Sequence, residues 1–512
     1  MIYRQWIASL LFIVLLTASG HTPTQNVIPK TLIRHVVVIF QENQSFDHYF
    51  ATYPHAENLL GEPPFHAAPN TPAVNGLDDE SRTHNPNLEQ PWRISREQAA
   101  NLIPFCDNDH GYTAEQKAYD GGRGDKFVES TGAKGGKCPQ NFVMGYLDGN
   151  SVTAVWNYAQ RFSMSDNFFN STYGPSMLGA INLVSGQTGG AHPENLKSFR
   201  GLGASIVLNG TMIGNPAAGF DDCTEETGTG VSFAGQNIGD LLNARGITWG
   251  WFSAGFTPTR FSSNGKAICG TEHVAANGRK MPVYDDPDPF EYYKSTANPH
   301  HKSPTSVDMI GVTDQANHQY DLKSFWQAAE SGHMPAVSFI RGPQGDDGHP
   351  GYSGPLPEQE FLVETINRLQ RLADWDSTVI FLTWDDSDGW YDHVTPPNVN
   401  HSQLPKFDLL FGKDGMCGKG TPLAGIQGRC AYGPRLPLLI ISPFARINFV
   451  DHDLTDQTSI IRFIEDNWSL GRLGGGSLDE LAGSFLGSFD FDHPKRDQLI
   501  LDPKTGEPDQ TP

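Results

Sequence analysis

The sequence has little charge for its length, and basic residues are in the minority. Only 18% of its 512 residues are charged, and 36 basic residues face 58 acidic ones, which gives a net charge of −22. Such a chain lacks the basic surface that nucleic acids and anionic membranes attract. We therefore expect no nucleic acid as a partner. An anionic substrate stays open, because a bound cation reverses the sign of the local field.

Cysteine is also scarce, and its spacing excludes a common kind of metal site. Six cysteines occur and none forms a C-x-x-C pair, so a zinc site built on paired cysteines is not expected. An even number of cysteines fits an exported protein with disulfide bonds, although many pairings are open. We favour the pairing of sequence neighbours, which joins Cys106 to Cys138, Cys223 to Cys269 and Cys417 to Cys430.

Long hydrophobic runs are missing beyond the first residues of the chain. Residues 6–16 form an apolar run behind one early arginine, and small residues follow it. The run is shorter than the roughly 20 residues of a membrane-spanning helix, and its layout is typical of a secretory signal. We expect a signal peptide over residues 1–22, with an uncleaved anchor as the alternative. The protein would then be secreted or periplasmic, without a stable membrane span.

The remaining length exceeds that of a usual domain, so one large elaborated domain and two domains are both open. Residues 54–140 are rich in Pro, Asn, Asp and Gly, which predicts a loop-rich insertion. Residues 28–490 would contain the folded part of the chain. Residues 491–512 read as a polar tail, and we expect its last dozen residues to be loosely held.

Apolar strands alternate with amphipathic helices through much of the chain. Strands are predicted over residues 34–40, 247–252, 336–340, 378–384 and 436–441. Helices are predicted over residues 151–161, 177–184, 237–244, 321–330, 358–373 and 455–468. Nearly continuous apolar strands between helices are typical of a sheet buried on both faces. The expected fold class is α/β, with a mostly parallel central sheet and helices on both faces.

Two of these predicted strands end in oxygen-bearing side chains. The first is followed by Glu42 and Asn43, and the strand over residues 378–384 by Asp385 and Asp386. Ligands of open α/β sheets bind beyond the carboxyl ends of the strands, and clustered carboxylates need a cation to neutralise them. If the two strands are neighbours, these four residues form a divalent metal site. Oxygen ligands suit Ca, Mg or Mn, and an added histidine would suit Zn or Fe.

A calcium-binding loop is the structural alternative for the second acidic stretch. Asp385, Asp386, Asp388 and Asp392 fall within one short segment. The segment lacks the D-x-D-x-D-G pattern and the distant Glu of an EF-hand. A calcium site in this segment would therefore need a loop that differs from an EF-hand.

A serine and several histidines are further candidates for chemistry. Ser176 follows a Gly-Pro turn at the start of a predicted helix, where a serine is most often an N-cap. The same position also favours negative charge on oxygen and offers N–H groups to a phosphate. His349 follows the strand over residues 336–340, so it extends the pattern of the acidic strand ends. A disulfide at Cys106 would hold the nearby His110 in place.

Four motifs of the chain are informative together: ENQSFDHYF, the GPS turn before an apolar helix, WDDSDGWYDH, and GPRLPLLIISPFA with the DQTSIIRFIEDNW that follows it. Together they resemble the bacterial phosphoesterase family that holds phosphatidylcholine-type phospholipases C and secreted acid phosphatases. The resemblance spans about residues 30 to 470. It implies an alkaline-phosphatase-like core with long loop insertions, a phosphoesterase catalytic domain over residues 28–490, and metal-assisted attack of a serine on phosphorus.

The resemblance also implies roles for individual residues. The implied metal ligands are Glu42, Asn43, Ser176, Asp385 and Asp386. Ser176 is also the implied nucleophile, and the other implied catalytic residues are His110, His349 and Asp388. Family members often carry a His-His pair before a PFxYY motif, where this chain reads DDPDPF over residues 285–290. Two alternatives follow: a phosphate-facing histidine is missing there, or His300 or His301 replaces it. The substrate-binding residues of the prediction are His300, His301 and His393.

The preferred function from sequence is a broad acid phosphatase acting on phosphate esters. The GPS turn and its helix are nearer the acid phosphatase group, and the chain lacks the further β domains of the larger phospholipases. A phospholipase C that acts on phosphatidylcholine-like lipids is the alternative. A sulfatase is disfavoured, because Ser176 is not part of a Cys/Ser-x-Pro-x-Arg motif. A secreted, non-enzymatic cation-binding protein is the remaining alternative.

Overall fold

A computed structural model describes residues 27–133, 138–193, 206–207, 210–224, 230–284 and 288–509. The predicted signal peptide lies outside these residues, as do Asp285 and Asp286. Within the described ranges, no helix combines the length and the apolar character that crossing a membrane requires.

A central sheet of eight strands organises the described residues. The strands are β1 (His35–Gln41), β2 (Ser163–Ser165), β3 (Trp249–Ser253), β4 (Gln319–Asp321), β5 (Val337–Arg341), β6 (Thr378–Trp384), β7 (Leu438–Ile441) and β8 (Phe449–Asp451). Their order across the sheet is β4-β3-β5-β1-β6-β7-β2-β8. Five of the seven neighbouring pairs are parallel, and β7 runs opposite to both of its neighbours. The predicted α/β class is confirmed.

Helices and short strand pairs surround this sheet. The α-helices of the described residues are α1 (Phe46–Phe50), α2 (Asp79–Thr83), α3 (Arg96–Asn101), α4 (Tyr112–Tyr119), α5 (Phe127–Ser130), α6 (Thr153–Arg161), α7 (Ser176–Ser185), α8 (Ile238–Arg245), α9 (Leu322–Glu330), α10 (Pro355–Gln370) and α11 (Thr458–Trp468). The short strands pair as Trp92–Arg93 with Gly145–Tyr146, Phe168–Phe169 with Thr455–Asp456, Ala191–Pro193 with Val231–Phe233, Ile206–Val207 with Thr211–Met212, Arg260–Phe261 with Ala267–Ile268, and Glu272–Val274 with Lys280–Pro282.

Strand β1 lies at the centre of the core because both of its faces are apolar. Successive side chains of a strand point to opposite faces of the sheet. Val38 belongs to the cluster that includes Ile181 of α7, whereas Ile39 belongs to the cluster that includes Leu362 of α10. Helices therefore cover both faces of β1. Burying a side chain such as Val38 contributes roughly 1.5–3 kcal/mol to stability.

Three disulfides join Cys106 to Cys138, Cys223 to Cys269 and Cys417 to Cys430. The predicted pairing of sequence neighbours is therefore confirmed. The first bridge closes a segment with a sequence separation of 32 residues, and that segment contains α4 and α5. Because it limits the unfolded chain, a loop of this size stabilises the fold by about 3–4 kcal/mol in the chain-entropy account.

The end of the described chain packs against α10 instead of hanging free. The side-chain amide of Asn367 donates to the carbonyl of Leu501 at 2.8 Å and accepts from its N–H at 3.1 Å. Gln370 makes the same pair of bonds to Leu499, both at 2.8 Å. Leu501 is only 1% exposed. The expectation of a loosely held end is wrong for this segment. The side-chain amides of Asn367 and Gln370 hydrogen-bond to its backbone in the way that a neighbouring strand would.

Candidate functional site

The carboxyl ends of three neighbouring strands meet at the centre of the sheet. Gln41 of β1 lies opposite Trp384 of β6, so Glu42 and Asp385 follow at adjacent positions. On the other side of β1, strand β5 ends at Arg341. The two acidic strand ends of the sequence are thus neighbours, as a shared site requires.

The register also fixes which face of the sheet these side chains occupy. Alternate residues of a strand point to the same face of the sheet. Glu42 therefore lies on the same face as Val38, and Asp385 lies on the same face as Phe381. Val38 and Phe381 belong to the same apolar cluster as Ile181 of α7. The site therefore lies on the α7 side of the sheet.

Helix α7 begins at Ser176, which is 3% exposed and faces the acidic strand ends. The Ser176 hydroxyl donates a hydrogen bond to Oε2 of Glu42 at 3.2 Å. Further along the helix, a Cβ at Gly179 would lie 1.9 Å from the carbonyl oxygen of Asp385. Glycine is required there because the helix touches the backbone of the acidic loop. This close approach places the serine beside the predicted metal ligands.

A buried glutamate also connects the serine turn to the acidic loop. Glu115 of α4 accepts from the N–H of Gly174 and from the hydroxyl of Ser387, both at 2.7 Å. Its side chain comes from the predicted insertion and is 1% exposed. Burial and the nearby charge of Asp386 raise the pKa of Glu115 well above its usual value. Glu115 was not predicted, because a glutamate within a short helix carries no signal of its own.

The two acidic segments are held together by hydrogen bonds at strained positions. Asn43 has a φ of 63° and Asp388 a φ of 52°, a left-handed region that Asn and Asp tolerate better than most residues. The side-chain amide of Asn43 donates to Asp388 at 3.3 Å, and its backbone N–H donates to Asp385 at 3.0 Å. Such strain is typical of functional sites, where the surroundings enforce it.

The oxygens of this cluster fit a divalent cation. Oδ1 of Asn43, Oδ2 of Asp385 and Oδ2 of Asp386 are buried and accept no hydrogen bond from the described residues. Burial raises the pKa of Asp385 to about 8, with Asp386 as the next cause, and burial raises that of Asp386 to about 6. Unpaired buried oxygens are costly unless a partner satisfies them. Hard oxygen donors of this kind suit a divalent metal ion.

Two histidines adjoin the same cluster through Asp388. The ligand atoms of His110, His349 and Asp388 lie within 4.8 Å of one another. Burial alone would lower the pKa of His110, but the carboxylates of Asp386 and Asp388 outweigh it and raise that pKa well above its usual value. Burial and the charge of His110 lower the pKa of His349 to about 3. One imidazole is therefore held protonated and its neighbour neutral, a division typical of acid and base roles.

The other predicted histidines bind carboxylates at different places. His300 lies 2.7 Å from Asp222, and His301 lies 2.9 Å from Asp221. His393 lies 2.6 Å from Asp47. Within the described ranges, none of the three hydrogen-bonds to Ser176 or to the predicted metal ligands. The structure therefore brings together Ser176, His110, His349 and the acidic strand ends, but not these histidines.

Two further clusters of potential ligands already have partners. Arg435 is fully buried and pairs with Asp47 at 3.0 Å and with Asp392 at 3.1 Å, beside His393. This ion cluster clamps α1 to the loop that follows Asp388. Cys223 and Cys269 lie near His301 but form a disulfide, so their sulfurs do not bind a metal.

Arg341 is a site residue that is not among the sequence predictions. Its guanidinium pairs with the carboxylate of Glu42, and Nη1 lies 4.0 Å from Oδ2 of Asp385. The residue is 9% exposed. A signal was present, because Arg341 directly follows the predicted strand over residues 336–340.

Comparison with known proteins places the chain in a family. Residues 33–471 match the model of the Phosphoesterase family, so the chain belongs to it and the resemblance seen in the sequence is confirmed. It is 26% identical over 442 residues to the non-hemolytic phospholipase C of Burkholderia pseudomallei, a match that covers 85% of this chain and 55% of that protein.

Two other relatives show the same range of similarity. The non-hemolytic phospholipase C of Pseudomonas aeruginosa is 22% identical over 498 residues, which covers 93% of this chain and 60% of that protein. Phospholipase C A of Mycobacterium tuberculosis is 23% identical over 445 residues, covering 85% of this chain and 72% of that protein. The chain thus spans little more than half the length of the first two relatives.

A buried acid behind the site gives the protein a testable pH dependence. Glu358 of α10 is 1% exposed and accepts from Tyr49 Oη at 2.5 Å and from Trp384 Nε1 at 2.6 Å. Burial raises its pKa to about 8. The folded protein therefore keeps this proton at a pH where the unfolded chain releases it. Stability from this group is complete below the ordinary glutamate pKa and is lost as pH rises toward the folded pKa.

Replacing Glu358 by Gln should flatten this pH dependence. Between about pH 5 and pH 8, the wild-type free energy of unfolding should fall by about 2–4 kcal/mol more than that of E358Q. Urea denaturation across this range measures the difference. The exposed Glu360→Gln variant on the same helix is the control and should follow the wild type. Parallel curves for wild type and E358Q would show that Glu358 is charged throughout.

Proposed function

We propose that the protein is a metal-dependent phosphoric ester hydrolase in which Ser176 attacks phosphorus. The observation that carries this proposal is the position of Ser176. It begins a ten-residue helix and donates to Glu42 at 3.2 Å, beside Oδ2 of Asp385 and Oδ2 of Asp386, which are buried and accept no hydrogen bond from the described residues. A helix N-terminus favours anionic oxygen, and clustered carboxylates favour a cation. Membership of the Phosphoesterase family supports the same reaction.

The residues that would hold the metal ion are Glu42, Asn43, Ser176, Asp385 and Asp386. When bound, a divalent metal ion lowers the pKa of a hydroxyl nucleophile and neutralises charge on the phosphoryl group. The oxygen ligands suit Mg, Mn or Ca, and His110 and His349 nearby leave Zn and Fe open.

The protein's own groups carry the proton transfers. Ser176 Oγ forms a bond to phosphorus while the bond from phosphorus to the ester oxygen breaks, and phosphate remains on the serine. His110, held beside Asp388 at 3.3 Å, gives a proton to the departing alcohol. Water then displaces the serine from phosphorus, and inorganic phosphate leaves. The neutral His349 accepts a proton from that water. The Ser176 proton, passed in the first step to the Glu42 carboxylate that accepts its hydrogen bond, returns to the departing serine oxygen, and transfer of a proton from His349 to His110 through solvent restores the starting state.

The finer assignment is a broad acid phosphatase, with phospholipase C as the second candidate. The GPS turn and its apolar helix support the first, and the names of the three relatives favour the second. We also propose an alkaline-phosphatase-like core within a catalytic domain over residues 28–490. Three disulfides support a secreted or periplasmic location after removal of residues 1–22.

Assays of the metal-loaded protein on two substrates test the proposal. We expect turnover of p-nitrophenyl phosphate at least about tenfold more efficient than that of phosphatidylcholine in mixed micelles, a difference of about 1.4 kcal/mol in transition-state binding. Turnover of the lipid alone would reverse the order in favour of phospholipase C. No turnover of either ester, together with unfolding on metal removal, would support the non-enzymatic cation-binding alternative.

A further inference from the structure

Arg341 brings a permanent positive charge to the predicted metal site. Its guanidinium pairs with Glu42, which also accepts the hydrogen bond of Ser176 at 3.2 Å. The same guanidinium lies 4.0 Å from Asp385. Glu42 therefore contacts both the arginine and the proposed nucleophile directly.

The backbone of Arg341 is fixed on one side by strand pairing. It is the last residue of β5 and lies opposite Ser253 of β3. Its carbonyl accepts from the N–H of Ala254 at 3.3 Å. The side chain also borders a small cavity lined by Ser253, Tyr284 and Gln344. The strand end thus positions a buried cationic side chain that pairs with Glu42 beside this cavity.

The charges of the site indicate why an arginine is needed. The carboxylates of Glu42, Asp385, Asp386 and Asp388 together carry more negative charge than one divalent ion and the protonated His110 neutralise. A phosphoryl group would be repelled by the remainder, and a guanidinium offsets that charge. The planar guanidinium also matches two phosphoryl oxygens at once, which a point charge does not.

We propose that Arg341 binds the phosphoryl oxygens of the substrate and competes with the metal ion for the carboxylate of Glu42. This inference rests on the proposed function, because it assumes a phosphate ester beside Ser176. It gives Arg341 two opposing effects. The arginine weakens metal binding by occupying Glu42, and it strengthens phosphate binding by supplying a fixed cation.

The two effects separate this role from a purely structural one. If Arg341 only held Glu42 in place, its loss would weaken metal and phosphate binding together. If Arg341 competes with the metal, replacement by the neutral Gln should strengthen metal binding while weakening phosphate binding. Opposite signs in one variant are therefore the diagnostic result.

Calorimetric titration of metal-stripped protein with Mn²⁺, and of Mn²⁺-loaded protein with inorganic phosphate, tests this. We expect R341Q to bind Mn²⁺ about tenfold tighter and phosphate about 10–100-fold weaker than wild type, as loss of a charge-assisted hydrogen bond implies. R341K should bind Mn²⁺ as wild type does and phosphate about three- to tenfold weaker. Lysine keeps the positive charge but lacks the planar N–H donors of the guanidinium. The exposed Arg371→Gln variant is the control and should match wild type in both titrations.

Several outcomes would overturn the inference. Weaker Mn²⁺ binding by R341Q, or phosphate binding equal to wild type in both variants, would show that Arg341 has only a structural role. If R341Q does not fold, unchanged phosphate affinity in R341K overturns the inference and reduced affinity supports it. Ester turnover by the wild type is measured separately. If the wild type turns over no ester although the variants show the expected Mn²⁺ and phosphate affinities, the proposed function is contradicted and the role of Arg341 is supported.

Discussion

Replacing Ser176 by Ala should lower kcat for phosphate esters by a factor of about 10³ to 10⁶, as removal of a covalent nucleophile does in other hydrolases. The reason is that Ser176 Oγ is the atom that we expect to bond to phosphorus. The hydroxyl makes one hydrogen bond to Glu42 and sits at the start of α7, so its loss should leave the helix intact. Steady-state assays of metal-loaded S176A protein measure the effect.

A matched control lies at the other end of the same helix. Ser185 is equally buried, and its hydroxyl donates within the helix to the carbonyl of Ile181 at 2.9 Å. We expect Ser185→Ala to keep kcat within about twofold of wild type, because its hydrogen bonds to Ile181 and Gln187 lie at the opposite end of the helix from Ser176. If S176A turned over phosphate esters as fast as the Ser185→Ala control, Ser176 would not be the nucleophile.

Replacing Asp385 by Asn should weaken metal binding at least about 100-fold, since a direct ligand contributes more than the outer residues that support it. Oδ2 of Asp385 is buried and accepts no hydrogen bond from the described residues, so its charge is available to a cation. Turnover at limiting metal should fall in parallel. Equilibrium dialysis of the metal and assays across metal concentrations measure both effects.

Unfolding measurements distinguish loss of a ligand from loss of the fold. Burial raises the pKa of Asp385 to about 8, so a charge here is unfavourable to the metal-stripped protein. We expect the stripped D385N protein to be at least as stable as the stripped wild type. The control is Asp376→Asn, just before β6, whose side chain is 60% exposed. Unchanged metal affinity in D385N would place the metal elsewhere.

The parts of the fold predicted from sequence are those with long apolar runs. Strand β1 is predicted over residues 34–40 and observed at His35–Gln41, because its β-branched run has no competing interpretation. The strands Ser163–Ser165, Gln319–Asp321 and Phe449–Asp451 were missed, since three residues are too few to establish a period. These strands are defined by their neighbours in the sheet.

Helix boundaries depend on signals that the hydrophobic pattern omits. The helix predicted over residues 358–373 is observed at Pro355–Gln370. Its first residue is a proline, which is favoured in the first helical turn because that turn has unpaired N–H groups anyway. Pro355 is therefore a signal in the sequence for the observed start of this helix.

The candidate site was predictable where chemistry follows directly from strand ends. Glu42 and Asp385 were found because the carboxyl ends of neighbouring parallel strands share one crevice. Glu115 was not found, because only the folding of the insertion brings it to the turn before Ser176. His300 and His301 were expected at the site, but loop spacing gives no information on which carboxylate a histidine will meet.

Acid quenching during turnover tests most directly whether Ser176 is the nucleophile. Metal-loaded protein is mixed with p-nitrophenyl phosphate, quenched in acid and digested, and the peptide that contains Ser176 is examined by mass spectrometry. We predict one added phosphate on Ser176 in wild-type protein and none in S176A, together with retention of configuration at a chiral phosphorus. Turnover with inversion of configuration and an unmodified Ser176 peptide would contradict attack by this serine.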